Sequence, residues 1–289
     1  MAAFRTELQH AARALRRSPG FALVAILTIG LGIGANSAIF SVVNGVVRKP
    51  LGYPQPERLM FITSQFPGLG FDKFWVSPPE YFDYKQHTRA FRDVAAYQTN
   101  ALNVSDGEQP ERVNAVFVTA NMFAVLGVRP QRGQVFTPEQ DRPNADPVVI
   151  LSDELWRRTF GADTAIVGRQ VDVQGRKRTV VGVMPPGFDL HDAKAQLWAP
   201  IGLDPAAQNR GNHRLYLVAR LADGVTPAQA DGELRSMLRQ WREWWPNTHV
   251  PNDSTHRLQM EPLKDEVVGG VRRALWVLQG AVALVLLIS

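Results

Sequence analysis

From Ser18 to Val47 the chain carries no Asp, Glu, Lys, Arg or His. A bilayer's hydrocarbon core needs roughly 20 apolar residues in a helix, because lipid offers no partner to an unpaired backbone N–H or C=O. Residues 21–47 exceed that length and predict a tilted transmembrane helix. A cleavable signal peptide is the competing reading, with Arg13, Arg16 and Arg17 as its basic region. Its apolar core would run only ~7–15 residues, and Ala35-Asn36-Ser37 is the nearest approach to a cleavage site. A second uncharged run opens at Ala274 and continues to Ser289. It predicts the start of a second transmembrane helix over 274–289, cut short, so that the chain is expected to be a fragment.

The net charge of +5 sits beside these runs. Arg5, Arg13, Arg16 and Arg17 outnumber Glu7 before the first, Arg48 and Lys49 follow it, and Arg272 and Arg273 precede the second. Residues 50–271 hold 24 Lys+Arg against 26 Asp+Glu. The basic side chains therefore meet lipid head groups, and no basic stripe remains for nucleic acid. The positive-inside rule places the N-terminus in the cytoplasm. Residues 1–17 form an amphipathic segment suited to lying on the inner leaflet, with Phe4, Leu8 and Leu15 on one face. Residues 50–271 then lie outside, periplasmic or extracellular. Arg272 and Arg273 argue the other way, but long domains translocate largely regardless of charge. The absence of cysteine excludes a disulfide scaffold and thiolate chemistry.

Within the first span Gly30, Gly34, Ser37, Ser41 and Gly45 recur at spacings of 4, 3, 4 and 4. They share a helix face, and small residues let a second helix approach closely. Asn36 and Asn44 add amides that need partners in lipid. Chance in a Gly-rich span is the bland alternative. The stripe predicts a helix packed in a bundle.

Residues 50–271 read as an α+β domain. Val113–Val118 is a predicted strand, followed by a short helix through Leu126 capped by Thr119. Pro147–Leu151 is a strand, and Ser152 caps a helix over Asp153–Phe160 that ends at Gly161. Val171–Val173 and Thr179–Val183 alternate around Gly175 as a hairpin. Arg214–Leu221 is a strand. Thr226-Pro227-x-Gln229 is a capping box opening a helix to about Trp245, with a core stripe of Ala230, Leu234, Leu238, Trp241 and Trp245. Arg257–Leu263 is a last strand, and a helix from Asp265 leads into the second span. Residues 64–79 and 185–212, rich in Pro, Gly and polar residues, are expected to be loops or subdomain connections.

Chemistry-bearing motifs are scarce. No G-x-x-x-x-G-K-[ST], H-E-x-x-H or G-x-S-x-G occurs, so no catalytic, cofactor-binding or metal-ligating residue is expected. The histidines His10, His87, His191, His213, His249 and His256 lack metal-ligand spacing. His191-Asp192 is a weak loop pair. Glu80 and Asp83, one helical turn apart, read as a solvated face. Asn103-Val104-Ser105 and Asn252-Asp253-Ser254 are sequons.

Four stretches carry a family likeness. Gly30-Leu31-Gly32-Ile33-Gly34-Ala35-Asn36-Ser37-Ala38-Ile39-Phe40 is the first. Leu126-Gly127-Val128-Arg129-Pro130, leading to Gly133 and Phe136, is the second. The third runs from Trp156–Phe160 and Gly168 to Val181-Gly182-Val183-Met184-Pro185-Pro186-Gly187-Phe188, and the fourth joins Arg220-Leu221 to Gly224-Val225-Thr226. Together they resemble ABC transporter permeases of the MacB/FtsX-like class, most of all the duplicated orphan permease branch. The resemblance implies a MacB-like periplasmic core domain of two α/β subdomains between transmembrane helices. It also implies a separate cytoplasmic ABC ATPase subunit as partner, and a dimer with a second permease or with the second half of a longer chain. The expected role is a permease subunit that couples ATP hydrolysis to motion of the periplasmic domain, for export or mechanotransmission. It is not an enzyme in itself and implies no cofactor. A sensor domain of a membrane signalling protein shares the two-span topology and is the alternative. A membrane-anchored hydrolase would need a catalytic constellation that the sequence lacks.

Overall fold

The computed structural model describes residues 10, 13, 16–47, 51–107, 110–190, 193–246 and 255–288. The chain divides into two compact units, residues 50–267 and the pair of flanking segments 1–49 and 268–289. The segment expected to be amphipathic lies almost wholly outside the described residues, as do His191-Asp192 and Asn252-Asp253-Ser254.

The larger unit is built on one 11-stranded sheet. Its strands are β1 (Leu59–Phe66), β2 (Phe71–Phe74), β3 (Phe91–Ser105), β4 (Glu111–Val118), β5 (Arg132–Gly133), β6 (Val148–Leu151), β7 (Gln170–Val173), β8 (Arg176–Val183), β9 (Leu197–Pro200), β10 (Tyr216–Leu221) and β11 (Arg257–Pro262). The order is β11-β1-β10-β3-β4-β9-β6-β8-β5. β2 pairs with β1, and β7 pairs with β3 and β8. Most neighbours are antiparallel; β4–β9 and β6–β8 are parallel. β3 joins the two halves. Tyr97 and the residues before it pair with β10, and its stretch from Tyr97 onward pairs with β4 and β7.

The period-two alternation of strand side chains sorts the apolar residues onto two faces. Leu59 and Phe61, Ala95 and Tyr97, Val116 and Val118, Val148 and Ile150, and Trp198 point to one face. They form a single core that runs through both halves. α3 (Met122–Leu126) covers this face with Met122, Phe123 and Leu126, joined by Leu263 at the start of α6 (Leu263–Ile288). The opposite face is split. Met60, Ile62, Leu217 and Ala219 pack under α2 (Pro78–His87) and α5 (Pro227–Trp244). Val113, Ala115, Val149, Leu151 and Leu197 pack with Leu155, Trp156 and Phe160 of α4 (Asp153–Phe160). Both faces being buried, β1, β6 and β10 read as near-continuous apolar runs.

Local signals are honoured where the chemistry is local. Ser152 Oγ accepts from Leu155 N at 3.0 Å, and Gly161 closes α4 at φ 58°. Thr226 and Gln229 form the expected capping box. β7 and β8 make the expected hairpin around Gln174-Gly175.

Several expectations are corrected. Thr119 does not cap α3, which starts at Met122. Its hydroxyl accepts from Ala96 N at 3.0 Å instead and ties the helix approach to β3. Residues 64–79 are not a loop: they hold the end of β1, all of β2 and the start of α2. Residues 185–212 contain β9, the strand that bridges β4 and β6. α6 begins at Leu263, before Asp265.

In the smaller unit α1 (Pro19–Val47) is one unbroken helix. Pro19–Ala38 is, among the described residues, the helix segment long and apolar enough to cross a membrane. Phe21 is 70% and Leu31 73% exposed, an exposure that water would penalise and lipid rewards.

Candidate functional site

Two places gather polar side chains where burial makes them costly. The first lies under α2. The helix opens at Ser77-Pro78-Pro79-Glu80, with proline at its first positions and the Glu80 Oε2 carboxylate accepting from Ser77 N at 2.9 Å. Glu80 is fully buried and Asp83 nearly so, which corrects the solvated face expected for the pair. Tyr81 and Tyr84 of the same helix are also buried, so α2 is covered on almost every side.

Each carboxylate meets a countercharge or an imidazole. Arg210 Nη2 donates to Asp83 Oδ2 at 2.6 Å, with both side chains buried. Its guanidinium lies 4.5 Å from the Trp245 ring centre and 5.7 Å from that of Trp241, in cation–π range. Burial still outweighs the Arg210 bond and holds the Asp83 carboxyl above its ordinary value. Glu80 faces two histidines. His213 Nε2 stands 3.4 Å from Oε2 and His256 Nε2 stands 3.9 Å from Oε1. His213 Nδ1 lies 3.2 Å from the Gly211 carbonyl, and His256 Nε2 lies 3.0 Å from Ser64 Oγ. Burial alone would lower the His213 imidazole, but Glu80 and the Gly211 carbonyl raise it above its usual value. Phe66 stacks on His256 at 4.6 Å and meets His213 edge-on at 5.1 Å. Phe74 and Trp241 complete an aromatic wall.

Sequence spacing hides this cluster, since its members come from α2, from the segment before β10 and from the segment before β11. The readable signal was Ser77-x-x-Glu80, a capping box that turns the carboxylate back onto its own helix and away from solvent.

The second place is in the smaller unit. Gln279 Nε2 on α6 donates to Asn36 Oδ1 on α1, so the partner Asn36 needs is supplied by the other helix. Gly32 is buried, and Ala35 and Asn36 are half-buried on that face. The stripe read from the sequence is a different one. Gly30, Gly34, Ser37 and Ser41 are exposed, and a Cβ built on Gly30 or Gly34 meets nothing within 4 Å. Gly45 lies on the same helix. Ser37 and Ser41 are linked by the Ser41 hydroxyl donating to the Ser37 carbonyl at 2.8 Å.

The described residues thus form a mixed sheet with α-helices on both faces, preceded in the chain by an apolar helix and followed by a second long helix. The chain belongs to the MacB-like periplasmic core domain family, whose model matches residues 22–237. It is accordingly the periplasmic domain of an ABC-type permease, with an apolar helix at its N-terminal side. Its fold is similar to that of a domain of a putative permease protein from Porphyromonas gingivalis, at 16% identity, TM-score 0.53, and 73% of this chain and 92% of that one covered. It is similar also to the periplasmic region of MacB from Actinobacillus actinomycetemcomitans, at 14% identity, TM-score 0.52, and 81% and 98% covered. No curated protein matches its sequence.

Proposed function

We propose that the chain acts in a permease subunit in which ATP hydrolysis by a separate cytoplasmic ABC ATPase moves the periplasmic domain, for export or mechanotransmission. The observation that carries this reading is α6. It starts at Leu263, a residue fully buried in the sheet's shared core, and continues as one helix to Ile288. A continuous helix carries displacement along its axis, whereas a loop absorbs it. In this reading α1 and the end of α6 cross the inner membrane, residues 1–17 lie on its cytoplasmic leaflet, and the Gly30/Gly34/Ser37/Ser41/Gly45 face meets a helix of a second permease or of further spans.

The test is to break α6 where it is weakest. Gly269 and Gly270 are adjacent, exposed and helical, and glycine costs a helix interior about 1 kcal/mol relative to alanine. Gly269→Pro should leave ATPase copurification intact but abolish ATP-dependent changes in a periplasmic spin-label distance. Gly269→Ala with Gly270→Ala should preserve them. ATP-dependent changes that survive the proline would contradict the reading.

A further inference from the structure

We propose that Glu80, His213 and His256 form a binding site for a divalent transition-metal ion of the zinc type, largely buried inside the domain. Glu80, His213 and His256 each offer one ligand atom, and these atoms lie within 4.8 Å of one another. Two donors ~2.0–2.1 Å from a tetrahedral ion are ~3.4 Å apart. His213 Nε2 lies 3.4 Å from Glu80 Oε2 and His256 Nε2 lies 3.9 Å from Glu80 Oε1, so each histidine faces its own carboxylate oxygen and a small rotation of the carboxylate brings the three groups onto one ion.

The surroundings favour an ion as well as the distances do. The Gly211 carbonyl can only accept, so its 3.2 Å contact places the proton of the neutral His213 ring on Nδ1 and turns the Nε2 lone pair to Glu80. A backbone carbonyl behind a ligand histidine is the outer-shell arrangement that fixes metal-binding tautomers. Glu80 is likewise held from behind by Ser77 N. Ser64 Oγ, 3.0 Å from His256 Nε2, brings a hydroxyl to the same point as a further donor. The adjacent Asp83–Arg210 pair forms its own buried ion pair beside the cluster. The aromatic wall of Phe66, Phe74 and Trp241 keeps the point dry, and a dry site strengthens a carboxylate–cation bond.

The three ligands belong to α2, to the segment leading into β10 and to the segment leading into β11. The ion would therefore clamp the edge strand that runs directly into α6 onto the helical layer of the sheet.

The full chain, free of any histidine tag, is purified in detergent, stripped with chelator and titrated with Co²⁺. The expected result is one Co²⁺ per chain with the intense visible d–d absorption of a tetrahedral N/O site, displaced by Zn²⁺. Free Zn²⁺ at about 100 times its Kd should raise Tm by roughly 5–10 °C. Glu80→Gln, which keeps the capping geometry, should weaken binding at least tenfold, and His213→Gln with His256→Gln should abolish it. A wild-type chain that shows no tetrahedral Co²⁺ spectrum overturns the proposal whatever the variants do. Binding unchanged in folded His213→Gln/His256→Gln protein, placing Co²⁺ on other residues, overturns it equally.

Discussion

Replacing Trp198 with alanine tests whether the two halves of the domain are one cooperative body. Trp198 is fully buried on β9, with Phe188 at 5.2 Å and Phe123 at 6.3 Å between ring centres. It belongs to the core that also holds Leu59 and Phe61 of β1 and Val148 and Ile150 of β6. Truncation to alanine forfeits about 200 Å² of buried aromatic surface, which at ~25 cal/mol/Å² is ~5 kcal/mol. A compact unfolded chain trims that figure by ~10–40%. The expected loss is ~3–5 kcal/mol, the usual range for a large aromatic in a core. At roughly 2–4 °C per kcal/mol for a domain of this size, Tm should fall by about 6–20 °C. The assay is thermal and urea unfolding of the full chain in detergent, followed by far-UV circular dichroism. Because one core crosses β3, the whole transition should move as a single step. A variant that splits the unfolding into two steps, one at the parent Tm, would refute the shared core. Trp198→Phe should cost under about 2 kcal/mol, since it keeps most of the ring and removes an indole N–H that has no partner among the described residues.

Gly133 on β5 sits at φ 70°, and a Cβ there would lie 2.1 Å from the Val181 carbonyl oxygen of β8. Gly133→Ala should cost at least ~3 kcal/mol by denaturant unfolding, against ~1–2 for Gly161→Ala, where only the left-handed backbone is strained. In acid, the Arg157 bond holds Asp153 below its ordinary 3.8, and the Arg158 bond holds Glu111 below 4.5. Both depressed carboxylates contribute stability that is present above those ordinary values and lost as pH falls through the lowered folded ones. Asp153→Asn with Glu111→Gln should therefore flatten the acid limb of a stability–pH curve below about 4.5, and an unchanged limb would exclude them as its source. In the membrane, Asn36→Leu should cost the α1–α6 pair ~1 kcal/mol, read as reduced disulfide crosslinking between single cysteines placed on each helix. Gly34→Leu should leave that pair intact, since Gly34 has open space within the chain, and impair association with other helices in the same assay; Leu31→Ala should do neither.

What the sequence disclosed follows the range of the forces involved. The Ser152 cap, the Gln174-Gly175 hairpin and the Thr226–Gln229 box are contacts of a few residues, and all three could be read directly. β9 escaped notice because Leu197-Trp198-Ala199-Pro200 is buried on both faces and shows no alternation. Its pairing with β4 and β6 is set by residues far away in the chain. β2 is hard to read because its four residues are mostly exposed and follow the glycine-rich turn Pro67-Gly68-Leu69-Gly70. The Glu80 cluster was invisible for the same reason in stronger form: Arg210, His213 and His256 reach α2 only after the sheet has closed. Glu80 and Asp83, a turn apart, look like a wet surface until the second layer of helix covers them.

The proposed topology puts residues 50–267 outside the membrane and the N-terminal residues inside. The natural chain has no cysteine, so single cysteines report topology without background. Arg13→Cys and Lys177→Cys, the second on the exposed hairpin of β7 and β8, would be expressed in spheroplasts and treated with a membrane-impermeant maleimide. Position 177 should label fully in intact spheroplasts, and position 13 only after the membrane is permeabilised. Labelling of 13 and protection of 177 in intact spheroplasts would contradict the account.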